Sequence, residues 1–171
     1  MKVLIVSDIH GGYKYLKMLL EKVNDFDKML VLGDILSGYN NDFHDELVCL
    51  LNSYSDRIIA VKGNCDGSNV EELAFPVEES FIKYNLNHKF VFMTHGHLYN
   101  KTNLPNMDFD IFLSGHTHIP LIEKVGDKLF VNPGSLTLPR GMSNNSYIVY
   151  EDGVLHLMDL INDKEIKKEI I

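Results

Sequence analysis

Five apolar runs in this chain each end abruptly in a short cluster of glycine, carboxylate, amide and imidazole. KVLIVS (2–7) leads into DIHGG, and KMLVLGD (28–34) into ILSG. RIIAVKGN (57–64) ends in CDG, HKFVFMTHG (88–96) in HLY, and FDIFLSG (109–115) in HTHIP. A run that is apolar at every position, rather than at alternate ones, reads as a parallel strand buried on both faces. Tyr13, Leu16, Leu20 and Val23 recur near a helical spacing and predict a helix over 13–23, and HDELVCLLNSY (44–54) predicts another. Three strand–loop–helix repeats at this spacing argue for an α/β fold with a parallel sheet. Past residue 76 the pattern changes to short strand-like runs separated by turn signals such as VGDK, NNS and EDG. The expectation is a mixed, two-sheet arrangement, richer in helix early and in strand late. Ligand sites in open α/β sheets form outside the carboxyl ends of strands, which is where the polar clusters fall.

Composition narrows the class. At 171 residues, 45% hydrophobic and 23% charged, the chain is expected to form a single domain over 1–171 with its own core. A net charge of −8, with no basic run beyond KEIKK, disfavours a nucleic-acid partner. The first apolar run is too short for a signal segment or a membrane span, so no membrane association is expected. Cys49 and Cys65 form no C-x-x-C motif and no disulfide framework, which suits a reducing cytoplasm.

Taken singly, the clusters are weak signals. Asp8 and His10 stand two apart, as do His116 and His118; Asp34 and Asn64 could each be a turn residue. Together they read differently. Five of the eight histidines (His10, His95, His97, His116 and His118) lie in three of the five clusters, whereas His44, His88 and His156 read as ordinary helix or strand residues. Carboxylates, an amide and several imidazoles form a mixed O/N donor set that suits Mn, Fe, Zn, Ni or Co better than Ca or Mg. Asp8, His10, Asp34, Asn64, His95, His116 and His118 are more donors than one tetrahedral site needs. Two metals sharing a bridging carboxylate is the economical reading. Cys65 could be a nucleophile, a metal ligand, half of a disulfide or a turn residue.

In this order and spacing, DIHG, GD, GNCD, THG and GHTH resemble the calcineurin-like metallophosphoesterase superfamily, over residues 3 to about 140. The short chain, GNCD where GNH[ED] is usual, and NPGS followed by PRG resemble its compact YfcE-type phosphodiesterase branch. The resemblance implies a four-layer αββα sandwich of two mixed β-sheets flanked by helices. It implies that Asp8, His10 and His118 hold one divalent metal ion, that Asn64, His95 and His116 hold a second, and that Asp34 bridges them. Two ions per chain are expected, Mn foremost, with Ni, Fe, Zn or Co as alternatives. The implied activity is hydrolysis of a small phosphoester, a diester by the branch, by a hydroxide bridging the two metals. Homo-oligomers (dimer or tetramer), as in relatives, could form through exposed strands of the second half.

The Cys-x5-Arg loop of phosphotyrosine phosphatases is absent: Glu71 and Ser55 stand where the arginine would follow Cys65 and Cys49. That weighs against a phosphocysteine route. Where relatives carry GNH, the histidine assists substrate or leaving group, and a thiol is a poorer proton donor. His97 is an alternative donor, with a turn histidine as the plainer reading. Arg140 is a candidate for a phosphate oxygen, or for a structural ion pair. Two other functions fit the fold: a protein-binding scaffold like the retromer subunit, which departs from the metal motifs, and a nuclease, against which the acidic balance argues.

Overall fold

Uninterrupted apolar runs become the central strands. The computed structural model describes residues 1–38 and 42–171. In chain order it contains β1 (Lys2–Val6), α1 (Tyr13–Lys22), β2 (Lys28–Val31), α2 (His44–Asn52) and β3 (Ile58–Val61). A single 3-10 segment, Ser68–Glu72, follows where a third helix was expected, and it leads into β4 (Val77–Glu78). Then come β5 (Phe81–Leu86), β6 (Lys89–Thr94), β7 (Ile111–Leu113), β8 (Leu121–Val125) and β9 (Lys128–Asn132). The chain ends in β10 (Ser146–Glu151), β11 (Val154–Asp159) and β12 (Lys164–Ile170).

Two mixed sheets result. One runs β12-β11-β10-β1-β2-β3-β4, the other β5-β6-β7-β9-β8. β1 to β4 are mutually parallel, and β10 joins β1 antiparallel, as expected of a late hairpin layer. In the second sheet β6, β7 and β9 are parallel, and β5 and β8 flank them antiparallel. The run VEESFIKY splits into β4 and β5, which belong to different sheets.

Both faces of β1 are buried, which is why it shows no alternation. Val3 and Ile5 join Val91, Met93, Ile111, Leu113 and Val131 between the sheets. Leu4 and Val6 face Leu16 and Leu19 of α1 and Leu47 and Leu51 of α2. The two packed mixed sheets are those the resemblance implies; among the described residues, α1 and α2 pack on the first. Over the second, Phe92, Phe112 and Phe130 pack with Phe109, Tyr99 and Met107 of the irregular segment 95–110.

The carboxyl ends of β1, β2, β3, β6 and β7 lead directly into the five polar clusters. Parallel strands bring those ends to one edge of each sheet, and stacking the sheets brings the two edges together.

Candidate metal centre

Asp8, His10, Asp34, His116 and His118 all have φ between 45° and 67°, the left-handed region. This costs an L-residue about 1–2 kcal/mol, so the surrounding structure must hold it. It does so with backbone hydrogen bonds between loops. Asp8 N–H donates to Gly33 O (3.1 Å), His10 N–H to Asp34 O (2.8 Å), and Gly115 N–H to His95 O (2.7 Å). Across the two sheets, His116 N–H donates to Asp8 Oδ2 (3.1 Å). Gly63 is required by close approach: a Cβ there would lie 2.1 Å from Asp34 Oδ1 and 2.2 Å from the Asp34 nitrogen.

One donor atom each from Asp8, His10, Asp34 and His118 lies within 4.8 Å of all the others, and all four residues are buried. His10 and His118 point their Nε2 atoms at each other, 3.3 Å apart. Their Nδ1–H groups are committed to backbone carbonyls, His10 to Ser37 (2.9 Å) and His118 to Leu138 (2.6 Å). In the neutral tautomer both inward Nε2 atoms therefore carry lone pairs. Asp8 Oδ1 lies 3.1 Å from His118 Nε2, yet it is buried without a hydrogen-bond partner. Converging lone pairs and an orphaned carboxylate oxygen suit a cation, so the residues fit a divalent metal.

Asp34 joins this group to a second. Its Oδ2 is 3.5 Å from His10 Nε2 and 3.4 Å from His95 Nε2. His95 Nε2 also lies 3.1 Å from Asn64 Oδ1, and its Nδ1–H donates to Leu32 O (2.6 Å). The His116 ring stands edge-on to His95, with centroids 5.1 Å apart. Four of the seven expected donors thus share one buried cluster, and His95, Asn64 and His116 adjoin it beside Asp34.

Carboxylates and imidazoles shift one another there. Burial alone would raise the Asp34 carboxyl, but contact with His95 and the Cys65 backbone N–H outweigh it and hold it well below the usual carboxylate range. Burial likewise opposes the charging of His95, yet Asp34 and Asp8 hold its imidazole above the ordinary value. Contact with Asp8 raises His118 in the same sense. His97 and His116 shift down, by burial first and then by the neighbouring His95.

Cys65 and Cys49 are both free, so no disulfide joins them. Cys65 accepts a hydrogen bond from Asn64 Nδ2 (3.3 Å) and donates its backbone N–H to Asp34 Oδ1 (2.8 Å). Burial and then Asp34 push its thiol up to about 11. His97 sits half-buried beside the cluster, its ring 5.4 Å from His95, and its Nδ1 is buried without a partner. Arg140 is exposed; its backbone N–H donates to His118 O (3.1 Å), and its charge opposes protonation of His118. Among the described residues its guanidinium forms no ion pair, contrary to the structural alternative.

Three further polar residues hold the loops. Ser135 Oγ donates to Asp8 O (2.8 Å), and Asn132 Nδ2 to Gly115 O (2.7 Å). Asp66, buried, accepts from Ile35 N–H (2.8 Å) and Gly63 N–H (2.9 Å). Sequence offers Asp66 as a partner for Cys65 or a turn cap; its clamp on a second loop is not legible, since an aspartate in a glycine-flanked turn looks the same either way.

A family model for the calcineurin-like phosphoesterase superfamily domain matches residues 1–152. The chain belongs to this superfamily. It is 34% identical to Phosphodiesterase YfcE of Escherichia coli, an alignment covering 99% of this chain and 97% of that protein. The solved structure of that E. coli phosphoesterase superposes with a TM-score of 0.90 over 100% of both chains. The Probable metallophosphoesterase YsnB of Bacillus subtilis is 31% identical over 87% of this chain and 83% of its own. Vacuolar Protein Sorting 29 of Cryptosporidium parvum, at 20% identity and a TM-score of 0.73 over 99% of this chain and 98% of its own, shares the fold. This superfamily member is a phosphoester hydrolase with a buried Asp/His cluster that could hold divalent metals. Among the described residues no helix is long and apolar enough to cross a membrane.

Proposed function

We propose that this phosphoesterase hydrolyses small phosphodiesters with two divalent ions, manganese foremost, in the cytoplasm. Asp8, His10, Asp34 and His118 would hold one ion, and Asp34, Asn64, His95 and His116 the other. The observation that supports this is Asp34 Oδ2, equidistant within 0.1 Å from a histidine of each group, at 3.5 and 3.4 Å. Divalent ions bound there supply Lewis acidity, activating water near neutral pH and offsetting charge on a phosphoryl group.

The chain's own side chains do the rest. Three histidines are held in one tautomer by carbonyls of Ser37, Leu32 and Leu138, so each presents a lone pair without a proton shift. The Cys65 N–H on Asp34 Oδ1 fixes the plane of the carboxylate that would be shared by the two ions. The Cys65 thiol stays protonated at neutral pH, which argues against a covalent phosphocysteine. His97, outside the ligand set and beside His95, would hand a hydrogen bond to a substrate or leaving-group oxygen; burial shifts its imidazole toward the neutral form. Arg140, without an ion pair among the described residues and on the loop that anchors His118, serves as the phosphate-binding cation.

Turnover of bis(p-nitrophenyl) phosphate, measured after EDTA treatment and metal addition, tests the reading. Manganese is expected to restore activity in the wild-type chain, while Asp34→Asn is expected to lose about 10³-fold or more, equivalent to about 4 kcal/mol of transition-state stabilisation. A folded, metal-loaded wild type with no turnover would favour the scaffold function instead.

A further inference from the structure

A cavity of about 250 Å³ opens beside His10, between the start of α1 and the loop after β9. Among the described residues its walls include Gly12, Tyr13, Phe43, Thr137 and Leu138. It shares two walls with the metal centre. His10 lines the cavity and sends its Nε2 into the donor cluster. Leu138 lines it too, and its carbonyl fixes His118. An ester whose phosphoryl group lies at the cluster therefore has a substituent within reach of this space.

Its chemistry is specific. Tyr13 and Phe43, from the beginnings of the two helical regions, stack with ring centroids 5.6 Å apart and planes 22° apart. The Lys14 ammonium stands over the Phe43 ring, 5.0 Å from its centroid. Thr137 Oγ1 is buried without a hydrogen-bond partner. Gly12 keeps that hydroxyl in place, since a Cβ at position 12 would lie 1.9 Å from it. Stacked aromatic walls match a planar ring better than an alkyl chain. Space suffices: an apolar cavity of about 150 Å³ can take benzene.

We propose that this cavity binds a planar aromatic substituent of the phosphoester, making Tyr13 and Phe43 determinants of substrate class. The inference rests on the phosphoesterase function and deepens it. Calorimetric titration of the manganese-loaded full chain with phenylphosphonate and methylphosphonate tests it. These probes share the charged group and differ only in the ring. Phenylphosphonate is expected to bind the wild type about tenfold more tightly. Phe43→Ala and Tyr13→Ala are each expected to bring that ratio within about threefold, with the methylphosphonate Kd unchanged as the control for folding and metal loading. A wild-type ratio near one, or a ratio that survives both substitutions, overturns the cavity assignment and leaves the phosphoesterase function standing. Failure of both phosphonates to bind, together with absence of manganese-dependent turnover, overturns that function and this inference with it.

Discussion

Asp66 is not among the proposed ligands, yet two ligand-bearing loops hang from its carboxylate. One oxygen takes the Ile35 N–H, next to Asp34, and the other the Gly63 N–H, next to Asn64. Removing the carboxylate leaves two buried donors unsatisfied, each costing about 1–3 kcal/mol. Asp66→Ala is therefore expected to lower unfolding free energy by about 2 kcal/mol or more, read by urea denaturation. It is also expected to weaken manganese affinity by about 10–100-fold, read by metal titration, although every ligand is intact. Wild-type metal affinity in a destabilised Asp66→Ala chain would show the clamp to be structural only. The donors themselves were legible because each follows the end of a buried strand by one to five residues. Their left-handed backbone was not: nothing in the types His10, His116 and His118 announces it, because it is imposed by hydrogen bonds to distant loops.

At the scale of elements, burial decided what could be foreseen. β1, β2, β3, β6 and β7 are enclosed on both faces and read clearly from their apolar runs. β12 (KEIKKEI) does not: it is the edge of its sheet, mostly exposed, and its charges resemble a solvated tail. Its placement depends on the turn after β11. There Asp159 Oδ1 accepts the N–H groups of Ile161 and Asn162, and Oδ2 the side-chain amides of Asn144 and Asn162. Burial alone would raise this carboxyl, but those donors lower it from 3.8 to about 2. A depressed folded pKa contributes stability above the unfolded value, lost as pH falls through the folded one. Asp159→Ala is thus expected to cost about 1–3 kcal/mol near neutral pH. In denaturation measured at successive pH values, that gap should narrow between pH 3.8 and about 2; a gap independent of pH would contradict the assignment. Aromatic packing replaces a helical layer over the second sheet. Fully buried Phe92 stacks on Phe81 and Phe112, with centroids 5.0 and 5.6 Å away, and meets Tyr99 edge-on at 5.3 Å. Phe92→Ala should cost about 3–5 kcal/mol, measured by chemical denaturation; a loss under about 1 kcal/mol would mean that the irregular cover does not depend on this stack.

On the scale of the whole molecule, the metal centre is a seam. Asp8, His10, Asp34 and Asn64 come from the first sheet, and His95, His116 and His118 from the second. The set therefore exists only when both sheets are formed and stacked, and an ion bound there favours the folded chain over the unfolded one. Buried carboxylates in a chain of net charge −8 add to the electrostatic attraction for a cation. Binding to the folded state alone contributes about 2.7 kcal/mol at a free metal concentration one hundred times Kd. In a chain of this size each kcal/mol shifts Tm by about 2–4 °C. Thermal unfolding is accordingly expected to rise by about 5–10 °C when manganese replaces EDTA. Asp34→Asn removes the charge shared by the two groups while keeping its shape. It should unfold in EDTA within a few degrees of the wild type and gain little from manganese. An equal manganese shift in Asp34→Asn would place the cation elsewhere and detach stability from the Asp34 carboxylate.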